Sequence, residues 1–189
     1  MIEIRPESGA GLAAYATIPI AFTVRSRYRV EAIDGGLGGL ALVEEAVTPY
    51  EKDYDAMPGE GPLTWSARWD LSSWGILGAF EDGGRVGGAA VAWQTPGLTD
   101  IGCQRATAVL WDLRVRPDYR GRGVGSLLFS EAIAWAKDRG AVMLEVETQN
   151  NNVPACRFYA RQGCKLGAIH CHAYDPELEE VQLLWYRPI

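Results

Sequence analysis

The chain has no apolar run long enough to cross a bilayer and no basic-plus-apolar leader at its start, so no membrane is expected and the cytoplasm is the default location. It also lacks positive charge. Its 18 Lys and Arg residues stand against 24 Asp and Glu, a net charge of -6, which removes the electrostatic basis for nonspecific nucleic-acid binding. Cysteine is sparse. Cys103, Cys156, Cys164 and Cys171 show no C-x-x-C spacing, so free, partly buried thiols are expected. The most metal-like cluster is His170-Cys171-His172. Read as a strand, it sends its two histidines to one face and the cysteine to the other, and no metal is expected. Repeats, low-complexity tracts and an internal domain boundary are absent too.

What is present suits one domain. A chain of 189 residues, 48% hydrophobic and 22% charged, can bury a full core. Ile2 to Arg5 reads as a short strand and Ile18 to Ala32 as a longer one. Gly35 to Gly39 is a hairpin tip, and Leu40 to Val47 is a returning strand or a helix. Pro49 to Pro62 is acidic and aromatic and reads as a loop. Leu63 to Leu71 is a short helical turn that brings Trp65 and Trp69 onto a sheet.

From there the pattern sharpens. Trp74 to Phe80 and Arg85 to Trp93 are strands joined by Glu81-Asp82-Gly83-Gly84, and after a Gln94–Gln104 loop a third strand runs from Ala106 to Val115. A helix follows Gly123, with Val124, Leu127, Leu128, Ala132, Trp135 and Ala136 at helical spacing and Gly140 at its end. Then come a strand from Val142 to Thr148, a helix from Pro154 to Gln162, and two strands, Cys164 to Ala173 and Val181 to Arg187. A strand meander followed by helix, strand, helix and a strand pair predicts an α/β single domain, 1–189, with a mixed, mostly antiparallel central sheet flanked by helices.

The stretch between the third strand and the long helix is basic and glycine-rich: Arg120-Gly121-Arg122-Gly123-Val124-Gly125-Ser126. A helix start has backbone N–H groups without intrahelical partners and carries the positive end of the macrodipole. Glycines let an anion approach those amides, and two arginines add charge, so the loop is a candidate phosphate or pyrophosphate site. It is not a P-loop, because no Gly-Lys-Ser/Thr closes it. A dinucleotide fingerprint would need glycine where Ser126 stands, although Glu145 could pass for its ribose-binding acid.

Leu113-Arg114-Val115-Arg116-Pro117-Asp118-Tyr119 followed by Arg120-x-x-Gly123-x-Gly125 resembles the acetyl-CoA loop of the GNAT superfamily of N-acetyltransferases. Asn152, Ala155, Phe158, Tyr159 and Gly163 resemble its second motif, with Cys164 in place of the usual aromatic. The resemblance covers Trp74 to the C-terminus. It implies a CoA-binding core at about 74–165 and a variable substrate region at about 1–73. Within the superfamily, Glu147 to Asn152, Ala155 to Tyr159, Leu166-Gly167, Tyr174 and Leu184-Trp185-Tyr186 are most similar to the streptothricin acetyltransferases, which acetylate an amine of an antibiotic.

The resemblance implies acetyl-CoA as acetyl donor, no metal, a small-molecule amine as acceptor, and Leu113, Arg114, Val115, Arg120 to Ser126, Asn152, Ala155 and Tyr159 around the cofactor. Alkylamines have pKa values of about 10.4, so a base must take a proton before the amine can attack. Glu147, at a strand end, is placed for this and Asp112 is the second candidate, unless Asp112 only pairs with Arg114 or Arg116. A backbone N–H near Val115, freed by a bulge, could face the oxyanion. Tyr159 could return a proton to the leaving thiolate, phenol and thiol having pKa values of about 10 and about 8.5. Tyr50, Asp53, Tyr54 and Tyr174, with Asp55, would suit a cationic acceptor. The alternatives are another amine (a polyamine, an amino acid or a protein N-terminus), a non-catalytic CoA-binding module, or a nicotinamide-binding protein. The sequence permits a homodimer.

Overall fold

The computed structural model describes residues 1–98 and 106–189, so Cys103 and much of the expected Gln94–Gln104 loop lie outside the described residues. The elements are β1 (Glu3–Glu7), α1 (Leu12–Tyr15), β2 (Phe22–Ala32), β3 (Leu40–Lys52), α2 (Trp65–Arg68), β4 (Gly75–Glu81), β5 (Gly84–Ala92), β6 (Thr107–Val115), α3 (Val124–Lys137), β7 (Met143–Gln149), α4 (Val153–Arg161), β8 (Lys165–His170) and β9 (Gln182–Pro188). Strands hydrogen-bond in the order β1-β4-β5-β6-β7-β9-β8, while β2 and β3 form a separate two-stranded sheet. β6 and β7 run parallel; β1–β4, β4–β5, β5–β6 and β8–β9 run antiparallel. The α/β class with a mixed, mostly antiparallel sheet is as expected. Among the described residues no helix is long and apolar enough to cross a membrane.

Packing divides the chain into two compact units. One comprises Met1–Ala21, Asp53–Val146 and Arg187–Ile189; the other comprises Phe22–Lys52 and Glu147–Tyr186.

In the first unit the β4–β5 hairpin turns at Asp82 (φ 51°) and Gly83 (φ 80°), the positive-φ pair that a two-residue turn between twisted strands requires. Neighbouring residues of a strand point to opposite faces, and the two adjacent glycines of β5 show what covers each face. A Cβ on Gly87 would approach Leu128 and Val124 of α3 at 3.2 and 3.4 Å. A Cβ on Gly88 would lie 2.5 Å from the ring of Tyr15. Covered on both faces, the run Val86 to Ala92 is buried throughout, which is why it reads as continuously apolar. On the Tyr15 side an aromatic cluster forms. Trp65 lies 5.7 Å from Tyr15 and 5.9 Å from Trp74, and Trp111 lies 5.6 Å from Trp74.

The long helix α3 buries Val124, Leu128, Phe129, Ala132 and Ala136. Leu127, expected on that face, is 46% exposed: the buried stripe follows the i, i+4 row from Val124, and Leu127 lies off it. Gly140, at φ 85°, closes the helix. Its N–H reaches the Lys137 carbonyl at 2.8 Å, and Ala141 N–H reaches Ala136 at 3.1 Å, the paired bonds of a Schellman end.

In the second unit β2 and β3 form a long ribbon. The expected Pro49–Pro62 loop starts only at Asp53, because β3 continues to Lys52 and pairs Tyr50 with Val24. Pro49 is tolerated because the ladder is irregular between Val24 and Ser26, where no donor is demanded of it. Asn150 ties several segments together. Its carbonyl accepts from Tyr28 N–H and its Nδ2 donates back to the Tyr28 carbonyl, at 2.9 and 2.8 Å. On its other side it exchanges two bonds with Val181, of 3.0 and 2.9 Å. β8 ends at His170, so Cys171 and His172 lie in a turn and the strand expected to Ala173 is cut short. Among the described residues no group of three metal-ligating side chains converges.

Candidate active site

In the first unit β6 leads into the glycine loop. Pro117, which cannot continue the ladder, opens a 3-10 turn to Tyr119. Gly121 and Gly123 then take φ of 76° and 85°. A Cβ on either would meet nothing within 4 Å, so these glycines are needed for their backbone conformation and the space in front of them is open. Gly123 precedes α3 and no side chain caps the helix. The Val124 and Gly125 amides have no carbonyl four residues back within the helix.

The two loop arginines play different parts. Arg120 is exposed but anchored, with Nε on the Val115 carbonyl at 3.0 Å and Nη2 on the Pro19 and Ala21 carbonyls at 3.3 and 3.1 Å. Burial lowers its pKa from the ordinary value. It fastens the base of the loop through carbonyl dipoles, none of which cancels its charge. Arg122 is exposed, lies 4.4 Å over the Tyr119 ring and comes 3.5 Å from Glu81.

β6 itself is irregular at Trp111. Ala90 pairs with Asp112 and Val91 with Leu110, so Trp111 is an extra residue in the ladder. The bulge expected near Val115 is therefore four positions earlier; Val115 is regularly paired with Gly87. The β6–β7 ladder comprises Thr107↔Met143 to Leu110↔Val146. From Trp111 to Val115, β6 is paired on the β5 side alone among the described ladders.

Two positions on β6 carry charge into the interior. Arg114 is 2% exposed. It makes two bonds to Asp112 of 2.9 and 2.6 Å, two to Asp55 of 2.7 and 3.2 Å, and one to the Ile18 carbonyl of 3.0 Å. Burial alone would lower its pKa, but Asp112 and Asp55 more than reverse that and raise it. Asp112 also accepts from Tyr15 Oη at 2.5 Å. Both Asp112 oxygens are thus engaged, and Asp55 is spent on a guanidinium. Asp53 accepts from the Asp55 N–H at 3.0 Å, and the Tyr54 carbonyl caps the following turn through Met57 N–H at 3.1 Å.

In the second unit Glu147 is exposed near the end of β7. Its Oε1 accepts from Tyr174 Oη at 2.5 Å and from Gln149 Nε2 at 3.2 Å, and its Oε2 accepts from Gln182 Nε2 at 2.8 Å. Behind it Thr148 is buried, accepting from Trp185 Nε1 at 2.8 Å and meeting Cys156 Sγ at 3.3 Å. This chain joins β7, β9 and α4. Burial pushes the Cys156 thiol up to about 11, with the Thr148 contact acting in the opposite sense, so the sulfur is an inert packing group. Asn152 caps α4 by accepting from Ala155 N–H at 3.2 Å. Tyr159, on α4, is 7% exposed and packs 5.1 Å from Phe158. Tyr50, on β3, accepts from Asn151 Nδ2 at 3.3 Å, and Asn151 also donates to Glu180 at 2.8 Å.

The family model for the acetyltransferase (GNAT) family matches residues 40–164. The chain belongs to the GNAT acetyltransferase family. It is 32% identical to a streptothricin acetyltransferase of Escherichia coli over 168 residues, 87% of this chain and 84% of that one. It is 40% identical to streptothricin acetyltransferase A of Bacillus subtilis (strain 168) over 81 residues, 42% of this chain and 47% of that protein. The same fold is seen in a Bacillus anthracis str. Ames structure described as a putative streptothricin acetyltransferase in complex with acetyl coenzyme A, at TM-score 0.77 and 24% identity, covering 100% of this chain and 98% of that one.

Of the residues expected at the site, the glycine loop lies in the first unit, as does the bulge at Trp111. Glu147 and Tyr159 lie in the second. The Tyr174–Glu147 bond joins a residue expected at the acceptor to one expected as base. Gln149 and Gln182, which hold the same carboxylate, escaped the sequence reading. Strand alternation places Gln149 on the Glu147 face and could have flagged it; nothing comparable marks Gln182.

Proposed function

We propose that this acetyltransferase carries the acetyl group of acetyl-CoA to a primary amine of a small cationic acceptor of the streptothricin type. The observation that carries the reading is the Glu147 carboxylate, exposed at the end of β7 and held there by neutral donors alone among the described residues. The E. coli relative, matched over most of both chains, supports the acceptor class.

Acetyl-CoA supplies an activated acetyl thioester. The residues fit its diphosphate: two positive-φ glycines with open space before them, an uncapped helix start, and the undiminished charge of Arg120. Leu113 and Val115 offer backbone groups along an edge of β6, as an amide-bearing arm requires. The side chain of Arg114 is committed internally, so only its backbone is available. Glu147 takes the proton from the acceptor ammonium, and the neutral nitrogen then forms the new C–N bond as the C–S bond breaks. Tyr159 gives its phenolic proton to the departing sulfur, and the second proton, shed by the acylated nitrogen, restores the phenol through solvent. The irregular backbone at Trp111 offers a donor to the acetyl oxygen. Asp112 acts instead as the counterion of Arg114.

A thiol-release assay with acetyl-CoA against streptothricin, spermidine, free lysine and an alanine-ended peptide tests the reading. Release with streptothricin and little with the others is expected. Release with the peptide alone would move the acceptor to a protein terminus. No release with any amine, despite acetyl-CoA binding, would favour a CoA-binding module.

A further inference from the structure

An exposed glutamate on a strand is ordinarily free among several rotamers, and fixing one costs side-chain entropy. Glu147 is fixed by donors from three places. Gln149 lies two residues along on the same face of β7, Tyr174 lies beyond the end of β8, and Gln182 is the first residue of β9. Gln149 Nε2 also reaches the Tyr174 oxygen at 2.9 Å, which closes a triangle on Oε1. Every donor is neutral. Among the described residues no Lys or Arg pairs with Glu147, whereas Asp112 and Asp55 are each matched to Arg114.

A carboxylate offers about four lone-pair sites, and three of them are filled here. One acceptor position on Oε2 and the full negative charge are left over. A cationic pair would have oriented the group equally well, but would have cancelled the charge that attracts an ammonium.

We propose that Tyr174 and Gln182 are positioning residues that aim the Glu147 carboxylate at the acceptor ammonium while leaving its charge intact. This rests on the reading of Glu147 as the base. It also gives Tyr174 a different part from direct acceptor contact: it acts through Glu147.

The test is a double-mutant cycle with acetyl-CoA and streptothricin, using Tyr174→Phe, Gln182→Ala and Glu147→Gln. Each clasp variant should lower kcat by about ten- to a hundredfold, the scale of a misaimed catalytic group, with KM for acetyl-CoA within about twofold of the parent. In the Glu147→Gln background neither should cause further loss. Losses that multiply with that of Glu147→Gln would overturn the clasp while leaving the base. Full turnover in Glu147→Gln would instead remove the base reading, and the clasp's role with it. A crystal structure of the Tyr174→Phe/Gln182→Ala variant gives a readout independent of activity. A displaced or multiply oriented Glu147 carboxylate is expected, and an unmoved one refutes the proposal.

Discussion

Asp112 and Arg114, two positions apart on β6, meet through a pair of hydrogen bonds of 2.9 and 2.6 Å, with side chains only 7% and 1% exposed. We infer from this that Asp112 serves as the counterion of Arg114. A base on the amine side must attract an ammonium, and here the carboxylate is buried with its charge matched by a guanidinium, while Tyr15 Oη also donates to it. Removing one partner of such a pair leaves a buried charge partly unmatched, at a typical cost of about 3–5 kcal/mol. Asp112→Asn should therefore lower the urea midpoint strongly. At temperatures where the variant remains folded, it should keep far more turnover than Glu147→Gln. A variant of normal stability without activity would return Asp112 to the reaction.

Tyr15 holds Asp112 from one side, and its ring lies over β5, where only glycine leaves room. A Cβ on Gly88 would come 2.5 Å from that ring and 3.0 Å from the Leu77 carbonyl. Overpacking of this kind costs about 1–3 kcal/mol. Gly88→Ala should lower the melting temperature, and Tyr15→Phe should not rescue it because the ring stays. Full stability in Gly88→Ala would mean that the ring can move aside cheaply.

What the sequence makes legible follows from local rules. The β4–β5 hairpin shows itself because Asp82-Gly83 stands between two apolar runs, and α3 because apolar residues recur from Val124 to Gly140. The Asp112–Arg114 pair is readable from alternation, which puts both on one face. The bulge at Trp111 is hidden because a bulky aromatic looks like any other strand residue. β3 runs past Pro49 because of a ladder irregularity that only the partner strand reveals. Leu127 has the right spacing for the core but falls outside the buried stripe. The bond from Gln182 to Glu147 spans 35 positions and joins a neutral amide to a carboxylate, a pair that carries no signature in charge or period.

Cys156 gives a prediction in pH. Burial raises its pKa to about 11, so the folded state holds the neutral thiol more firmly than the unfolded chain, where a thiol titrates near about 8.5. Its contribution to stability is thus fully present below about pH 8.5 and is lost as pH rises toward about 11. Urea midpoints of the parent should fall more steeply across that window than those of Cys156→Ser, whose hydroxyl does not titrate there. Alkylation at pH 8 followed by mass mapping should mark the exposed Cys171 and spare Cys156. Equal slopes for parent and variant, or rapid labelling of Cys156, would contradict the burial.

The glycine loop separates conformational need from crowding. Gly123 has φ 85° and open space at its Cβ position, so Gly123→Ala should clash with nothing and should cost about 1–2 kcal/mol for the left-handed backbone. If the loop relaxes to escape that strain, the amides of Val124 and Gly125 turn away from the diphosphate. KM for acetyl-CoA should then rise about tenfold, with KM for the amine little changed. Arg120→Lys tests the neighbouring element. Lysine keeps the charge but cannot reach the Val115, Pro19 and Ala21 carbonyls with one planar group, so the loop loses its fastening while its field remains. Isothermal titration with CoA should show weaker binding for both variants. A lysine variant that binds CoA as tightly as the parent would mean that Arg120 serves the loop through its charge alone.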